Sequence, residues 1–129
     1  MITGAVNHIG INTVDLETSV RFYEDVMGFS FLGEENLGSD YAAYMKVDEN
    51  TTLELFRTDG TLPVCEPGDG HIGLKHIAFD VDSVDAWYEK LQGLGVTITL
   101  DPCNVLAIGK RVLLFQAPDY VIIELCCDM

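Results

Sequence analysis

The chain has 129 residues, enough for one domain with a sizeable core or for two modules too small to be stable separately. Its formal net charge of −14 comes from 21 acidic and 7 basic residues, and such a field repels phosphate backbones and anionic lipid surfaces. We therefore expect no nucleic-acid or membrane partner, and the lack of a long apolar run or a leader-like N-terminus indicates a cytoplasmic protein.

The first part of the chain predicts a β-α-β-β-β module. Residues 5–13 alternate as a strand, with Ile9 and Ile11 on one face and His8 on the other. The following helix has Asp15 as its predicted N-cap and Gly28 as its stop signal. Three more strands are predicted over residues 29–34, 41–47 and 52–56.

A segment rich in breaker residues follows this module. Residues 58–71 contain three glycines and two prolines, a density typical of a linker. We interpret the chain as a single domain, 1–129, that consists of module 1–57 and module 72–129 joined by linker 58–71. The third histidine, His71, belongs to this linker and is interpreted as an ordinary loop residue.

The second module repeats the element order of the first. It begins with a strand over residues 73–81 that carries His76, and Asp82 or Ser83 is the predicted N-cap of its helix. Strands are predicted over 96–100 and 111–116, and a turn over 101–104. The last strand carries Glu124, and the four cysteines show no paired metal spacing, which indicates reduced thiols.

The two modules share a polar pattern as well as an element order. His8 aligns with His76, and Glu54 aligns with Glu124, at separations of 46 and 48 residues. In each module these side chains fall on the strand face opposite the apolar residues that the helix must cover. Pairing of two such sheets would form a cleft in which the four groups converge, so the repeat predicts one shared site.

The four residues form a set of metal ligands by type. Two imidazoles and two carboxylates suit a divalent Ni, Co, Zn, Mn or Fe ion. They suit Ca²⁺ poorly, because calcium prefers more oxygen ligands. We predict that His8, Glu54, His76 and Glu124 bind one divalent metal ion.

The paired modules and the His, Glu, His, Glu order resemble the vicinal-oxygen-chelate superfamily, which includes glyoxalase I. The resemblance covers nearly the whole chain and implies an α+β fold in which two βαβββ modules form an open, cleft-containing mixed β-barrel with the helices outside. It also implies a homodimer, with metal ligands often drawn from two subunits. The turn before the last strand departs from the family's common Asp-Pro-Asp-Gly-Asn, because residues 117–121 read Ala-Pro-Asp-Tyr-Val.

By resemblance to glyoxalase I, the expected function is that of a metal-dependent lyase or isomerase that acts on a small-molecule substrate. It would transfer a proton next to a carbonyl through a metal-bound enediolate, with Glu124 or Glu54 as the general base. One alternative is an acyl-CoA epimerase, for which Lys110 and Arg111 are the nearest cationic candidates to bind an anionic tail. Another is a non-catalytic protein of the same fold that binds a small molecule such as an antibiotic.

Overall fold

The computed structural model of the chain describes residues 1–58 and 72–129, so the predicted linker lies outside the described residues except for Thr58. The chain divides into two compact units, Met1–Pro63 and Val64–Met129. In the described part of each unit, one α-helix packs against a four-stranded sheet. The predicted α+β class and the β-α-β-β-β order of both modules are confirmed.

Unit 1 has its first and last strands paired in parallel at one side of the sheet. In chain order its elements are β1 (His8–Thr13), α1 (Leu16–Asp25), β2 (Ser30–Asn36), β3 (Tyr41–Lys46) and β4 (Thr52–Arg57). The strand order is β1-β4-β3-β2. Among the neighbouring strands described in this sheet, β1 and β4 pair in parallel, and the other two pairs are antiparallel. The crossover through α1 carries the chain from β1 to β2, and the antiparallel strands β3 and β4 then return it to lie beside β1.

Unit 2 has the same topology. Its elements are β5 (Ile77–Asp80), α2 (Val84–Gly93), β6 (Ile98–Val105), β7 (Lys110–Gln116) and β8 (Ile122–Asp128). The strand order is β5-β8-β7-β6, with β5 parallel to β8. Both units therefore place the first and last strands side by side.

The core of each unit lies between its helix and one sheet face. Most of the residues expected to face the helix are buried: Ile11, Leu53 and Leu55 in unit 1, and Ile77, Ile123 and Leu125 in unit 2. Ile9 and Phe79, from the same expected set, are only partly buried. The opposite face of each sheet carries the histidine and the glutamate, and we call it the ligand face.

The local helix signals act as predicted. The Asp15 carboxylate accepts a hydrogen bond from the Thr18 amide at 3.1 Å, and Ser83 Oγ accepts one from the Ala86 amide at 3.2 Å. Gly28 follows α1 with φ 75°, a left-handed conformation that glycine adopts without strain.

The predicted turn over residues 101–104 is wrong. These residues continue β6 to Val105, and the chain reverses later, through a short 3-10 helix (Leu106–Ile108) and Gly109. Pro102 is tolerated because β6 is the edge strand of its sheet, and the pairing with β7 shifts register between Leu100 and Cys103.

Strand β5 starts later in the chain than expected. The strand expected over residues 73–81 begins only at Ile77, since Gly73 adopts φ 120° and the ladder with β8 starts at Ile77. His76 therefore directly precedes the strand.

Neither of the α-helices in the described ranges has the length and apolar character needed to cross a bilayer.

Candidate functional site

Parallel pairing of β1 with β4 brings His8 and Glu54 together. Gly10 is directly opposite Glu54, and His8 stands two residues earlier on the same face. The Nε2 atom of His8 lies 3.0 Å from Oε2 of Glu54. The imidazole is 44% exposed and the carboxylate 16%, so the pair is open to solvent mainly on its histidine side. We call these two residues the His8–Glu54 half-site.

Unit 2 builds the same pair by the same geometry. Ala78 is opposite Glu124, and His76 stands two residues earlier. Its Nε2 atom lies 3.1 Å from Oε2 of Glu124, with the side chains 28% and 18% exposed. The two residues form the His76–Glu124 half-site. Each predicted histidine thus contacts the glutamate of its own module.

The two half-sites differ at the second ring nitrogen of the histidine. In unit 1, Nδ1 of His8 lies 2.8 Å from Oδ1 of Asn7, a separation at which Nδ1–H donates to the amide oxygen. In unit 2, Nδ1 of His76 is buried and has no hydrogen-bond partner within residues 1–58 and 72–129. Reasoning from the sequence missed Asn7, although a polar side chain directly before a candidate ligand was an available signal.

The spacing within each half-site fits a divalent metal ion. Two donors bound at right angles at roughly 2.1 Å from one ion are about 3.0 Å apart, which matches both pairs as well as it matches a direct hydrogen bond. Within residues 1–58 and 72–129, no group of three or more His, Cys, Asp or Glu side chains is arranged to hold an ion. Each unit by itself therefore offers two donors of the four predicted.

Aromatic side chains surround Glu54 on the ligand face of unit 1. Tyr44 is its cross-strand neighbour on β3, and Phe56 follows it by two residues on β4. The Phe56 ring lies against Gly10, where a Cβ atom would be 3.2 Å from the ring carbon Cε2. The period-two alternation of β4 could have indicated Phe56, since it shares the parity of Glu54.

The two cationic candidates for an anionic tail lie on opposite faces of β7. Arg111 faces α2 and donates to both carboxylate oxygens of Asp85, at 2.9 and 2.6 Å, and to Asn104 Oδ1 at 3.0 Å. The hydrogen bonds from Arg111 hold the pKa of Asp85 below its usual value. The register between β7 and β8 puts Lys110 on the same face of the sheet as Glu124. Its ammonium group lies 2.7 Å from Oδ1 of Asp128. Lys110 alone of the two is placed on the ligand face.

Cys126 also lies on the ligand face of unit 2. Its thiol is 3.4 Å from Oδ1 of Asp80 and 3.7 Å from the carbonyl oxygen of Phe79. Burial, followed by the hydrogen bond to Asp80, raises the pKa of the Cys126 thiol, so the group stays protonated near neutral pH. The three cysteines in the described ranges are free thiols.

Comparison with known proteins agrees with this fold. The family model for the Glyoxalase/Bleomycin resistance protein/Dioxygenase superfamily matches residues 5–125, and the chain belongs to that superfamily. The family includes enzymes that carry the name lactoylglutathione lyase.

Relatives with different names are about equally similar to this chain. A probable lactoylglutathione lyase from Synechocystis is 29% identical over 92% of this chain and 91% of its own length. Metallothiol transferase FosB from Lysinibacillus sphaericus is 31% identical over 92% of this chain and 79% of its own length. The crystal structure of a glyoxalase family protein from Enterococcus faecalis matches with a TM-score of 0.81 at 24% identity, over 98% of this chain and all of that one, which shows the shared fold.

Proposed function

We propose that the protein is a metal-dependent lyase or isomerase of the glyoxalase I type. The observation that carries the proposal is the matched pair of half-sites, with Nε2–Oε2 separations of 3.0 and 3.1 Å at equivalent positions of the two units. Two unrelated surface ion pairs would not be expected to occupy the same register in both repeats.

The residues that would hold the metal are His8, Glu54, His76 and Glu124. Their nitrogen and carboxylate donors suit a divalent Ni, Co, Zn, Mn or Fe ion. A complete set requires one half-site of each kind, supplied by one chain or by two chains of a homodimer, in a cleft between paired sheets. A bound ion of this class supplies a Lewis acid that stabilises negative charge developing on adjacent substrate oxygens.

The protein's own carboxylates would move the proton. In a hemithioacetal formed from an α-oxoaldehyde and a thiol, Glu124 or Glu54 takes the proton from the sulfur-bearing carbon and returns it to the neighbouring carbonyl carbon. The sulfur-bearing carbon also loses its hydroxyl proton and becomes a thioester carbonyl, and the neighbouring carbonyl oxygen takes up a proton and becomes a hydroxyl. The reaction is an isomerisation and needs no external oxidant or reductant.

We favour one of these carboxylates over the nearby thiol as the base. Glu54 and Glu124 are 16% and 18% exposed, so each is sheltered while still in contact with an imidazole. Cys126 is held protonated by burial and by Asp80, which makes it a poor proton acceptor. Between the two glutamates we favour Glu124 and test both.

The proposal is tested with the protein reconstituted separately with Ni²⁺, Co²⁺ and Zn²⁺. Methylglyoxal and a thiol are added, and thioester formation is followed by proton NMR and mass spectrometry. Glu124→Gln should abolish thioester formation by the metal-loaded protein, because an amide cannot accept the proton. Abolition in metal-loaded Glu54→Gln, with activity retained in Glu124→Gln, would assign the base to Glu54 instead. Absence of a thioester with every metal ion would contradict the proposal.

The epimerase alternative is weakened by the placement of Arg111. Its guanidinium is occupied by Asp85 and Asn104 on the helix side of the sheet, so Lys110 is left as the cation placed for an acyl-CoA tail. Acyl-CoA thioesters belong in the same substrate screen. Proton exchange at the carbon next to a thioester, without conversion of methylglyoxal, would favour the epimerase.

The non-catalytic alternative differs in its need for metal. A protein that only sequesters a small molecule does not require four metal ligands, whereas the proposed enzyme does. Metal content after reconstitution and desalting separates the two. Less than one divalent ion per pair of half-sites would favour the binding protein.

A further inference from the structure

The Phe56 ring is seated on the backbone of β1 beside the His8–Glu54 half-site. Gly10 permits this position, because any larger residue would place its Cβ atom 3.2 Å from Cε2 and 3.8 Å from Cδ2 of the ring. Contacts of 3.2 Å to a Cβ atom are tighter than ordinary van der Waals distance. The absence of a side chain at Gly10 therefore makes room for an aromatic ring next to the ligands.

Unit 2 lacks this arrangement at the equivalent position. Ala78 occupies the place of Gly10, and Cys126 the place of Phe56, each in the same register relative to its glutamate. The ring and the glycine thus occur together in unit 1, while a small side chain and a thiol occur together in unit 2. On the helix side of the same strands the equivalent residues are apolar and buried in both units: Leu53 and Leu55 in β4, and Ile123 and Leu125 in β8.

A second aromatic residue extends the surface on the other side of Glu54. Tyr44 lies directly across from Glu54 on β3, and paired residues in an antiparallel ladder have Cβ atoms about 5 Å apart. Phe56 follows Glu54 on the same face at about 7 Å along the strand. Tyr44 and Phe56 are partly exposed, so both rings present surface beside the carboxylate.

We propose that Phe56, supported by Gly10 and joined by Tyr44, determines substrate specificity by receiving the aromatic or bulky apolar substituent of the substrate. This inference rests on the proposed function, because it assumes that adjacent substrate oxygens are held at the metal ligands. Aromatic rings prefer offset or edge-to-face contacts with other rings, and such a contact adds stabilisation beyond apolar burial. The structure thus favours an aryl-substituted α-oxo compound over a methyl-substituted one.

Two probes test this inference without requiring turnover. Benzohydroxamate and acetohydroxamate share a head group with two adjacent oxygens and differ in a phenyl or a methyl substituent. Their dissociation constants for the Co²⁺-loaded protein are measured by calorimetry. We expect Phe56→Ala to reduce the preference for benzohydroxamate by about fivefold to tenfold. The affinity for Co²⁺ itself should stay unchanged, because Phe56 is not a ligand.

Two further variants serve as a repeat test and a control. Phe56→Leu keeps an apolar side chain but removes the ring, so it should lose part of the preference for benzohydroxamate. If Phe56→Ala does not fold, the ratio of dissociation constants in Phe56→Leu tests the role of the ring. Tyr41→Ala removes an aromatic side chain from the opposite face of the same sheet, where Tyr41 contacts the guanidinium of Arg57. It should leave the ratio of the two dissociation constants unchanged.

The outcomes separate this inference from the proposed function. If both probes bind and the ratio is the same in wild-type protein and the Phe56 variants, the specificity role is overturned while the metal site stands. An equal loss of preference in Tyr41→Ala also overturns it, since the effect would then be general. If neither probe binds the Co²⁺-treated wild-type protein, both proposals fail.

Discussion

Asn7 contacts the ring nitrogen of His8 that faces away from Glu54, with Oδ1 of the amide 2.8 Å from Nδ1. A hydrogen bond at Nδ1 fixes the tautomer in which Nε2 is free to bind a metal, and such outer partners typically contribute tenfold to hundredfold in metal affinity. We expect Asn7→Ala to weaken Co²⁺ binding about tenfold in a titration against a chromophoric chelator. Asn50→Ala, in the turn before β4, is the matched control. Equal affinities for both variants would contradict a positioning role for Asn7.

Replacement of His76 tests the second half-site. His76→Ala should weaken metal binding by at least about tenfold, because the variant retains three of the four predicted ligands. It should leave the fold intact, since Ile77 is buried on the helix side of the sheet and the Nδ1 atom that is lost has no hydrogen-bond partner in the part of the chain that the structure describes. The measurements are metal titration and thermal unfolding of the apo-protein. His71→Ala is the control, and unchanged affinity in His76→Ala would remove that residue from the ligand set.

The proposed homodimer with sites across two chains is tested by mixing variants. His8→Ala subunits are combined with His76→Ala subunits, and metal binding and turnover are measured after subunit exchange. If sites span chains, one site in the mixed dimer regains all four ligands while the other loses both histidines. Mixing restores nothing if each site lies within one chain. A monomer in sedimentation experiments would contradict the dimer in either form.

The turn before β8 carries backbone strain that can be relieved. Asp119 and Tyr120 have φ values of 61° and 59°, and residues with a Cβ atom adopt this left-handed region at a cost of about 1–2 kcal/mol. Tyr120→Gly should raise the free energy of unfolding by about 1 kcal/mol, measured by urea denaturation. The reverse change, Gly109→Ala at φ 65°, should lower it by about the same amount, because a residue with a Cβ atom is strained at this φ. Apart from the chain neighbours, no atom of the described residues lies within 4 Å of the added Cβ atom, so no clash adds to this effect. A Tyr120→Gly variant that is less stable than wild type would contradict the strain argument.

The Asp85–Arg111 ion pair predicts a specific pH dependence of stability. Because Arg111 lowers the pKa of Asp85 in the folded state, the pair stabilises the fold above the unfolded pKa of about 3.9, and this contribution is lost as the pH falls through the folded value. Asp85→Asn should therefore be less stable than wild type at neutral pH, with the difference shrinking below about pH 4. Urea denaturation at a series of pH values measures it. A difference that is constant down to the most acidic pH would contradict the linkage.

Local signals in the sequence were sufficient for the element order and for the candidate ligands. Asp15 and Ser83 as N-caps and Gly28 as a stop signal depend on hydrogen bonds and backbone angles within a few residues, so they can be recognised without knowing the fold. The alternation around His8 and Glu54 separates ligand face from helix face for the same reason. The repeat then links each histidine to the glutamate of its own module.

Strand pairing decided what local signals could not. Asp101 and Pro102 have turn chemistry, yet they extend β6 because an edge strand leaves the missing proline N–H without a required partner. Arg111 and Lys110 look alike in sequence, and only the register with β8 and the packing of α2 place the first against Asp85 and the second on the ligand face. The 3.0 Å contact of His8 with Glu54 likewise depends on the parallel ladder between strands distant in sequence, and the seat of the Phe56 ring on Gly10 depends on the same ladder. Sequence therefore determined which residue types face the site, and tertiary structure decided which of them meet, because register is set by packing over distances that no local pattern encodes.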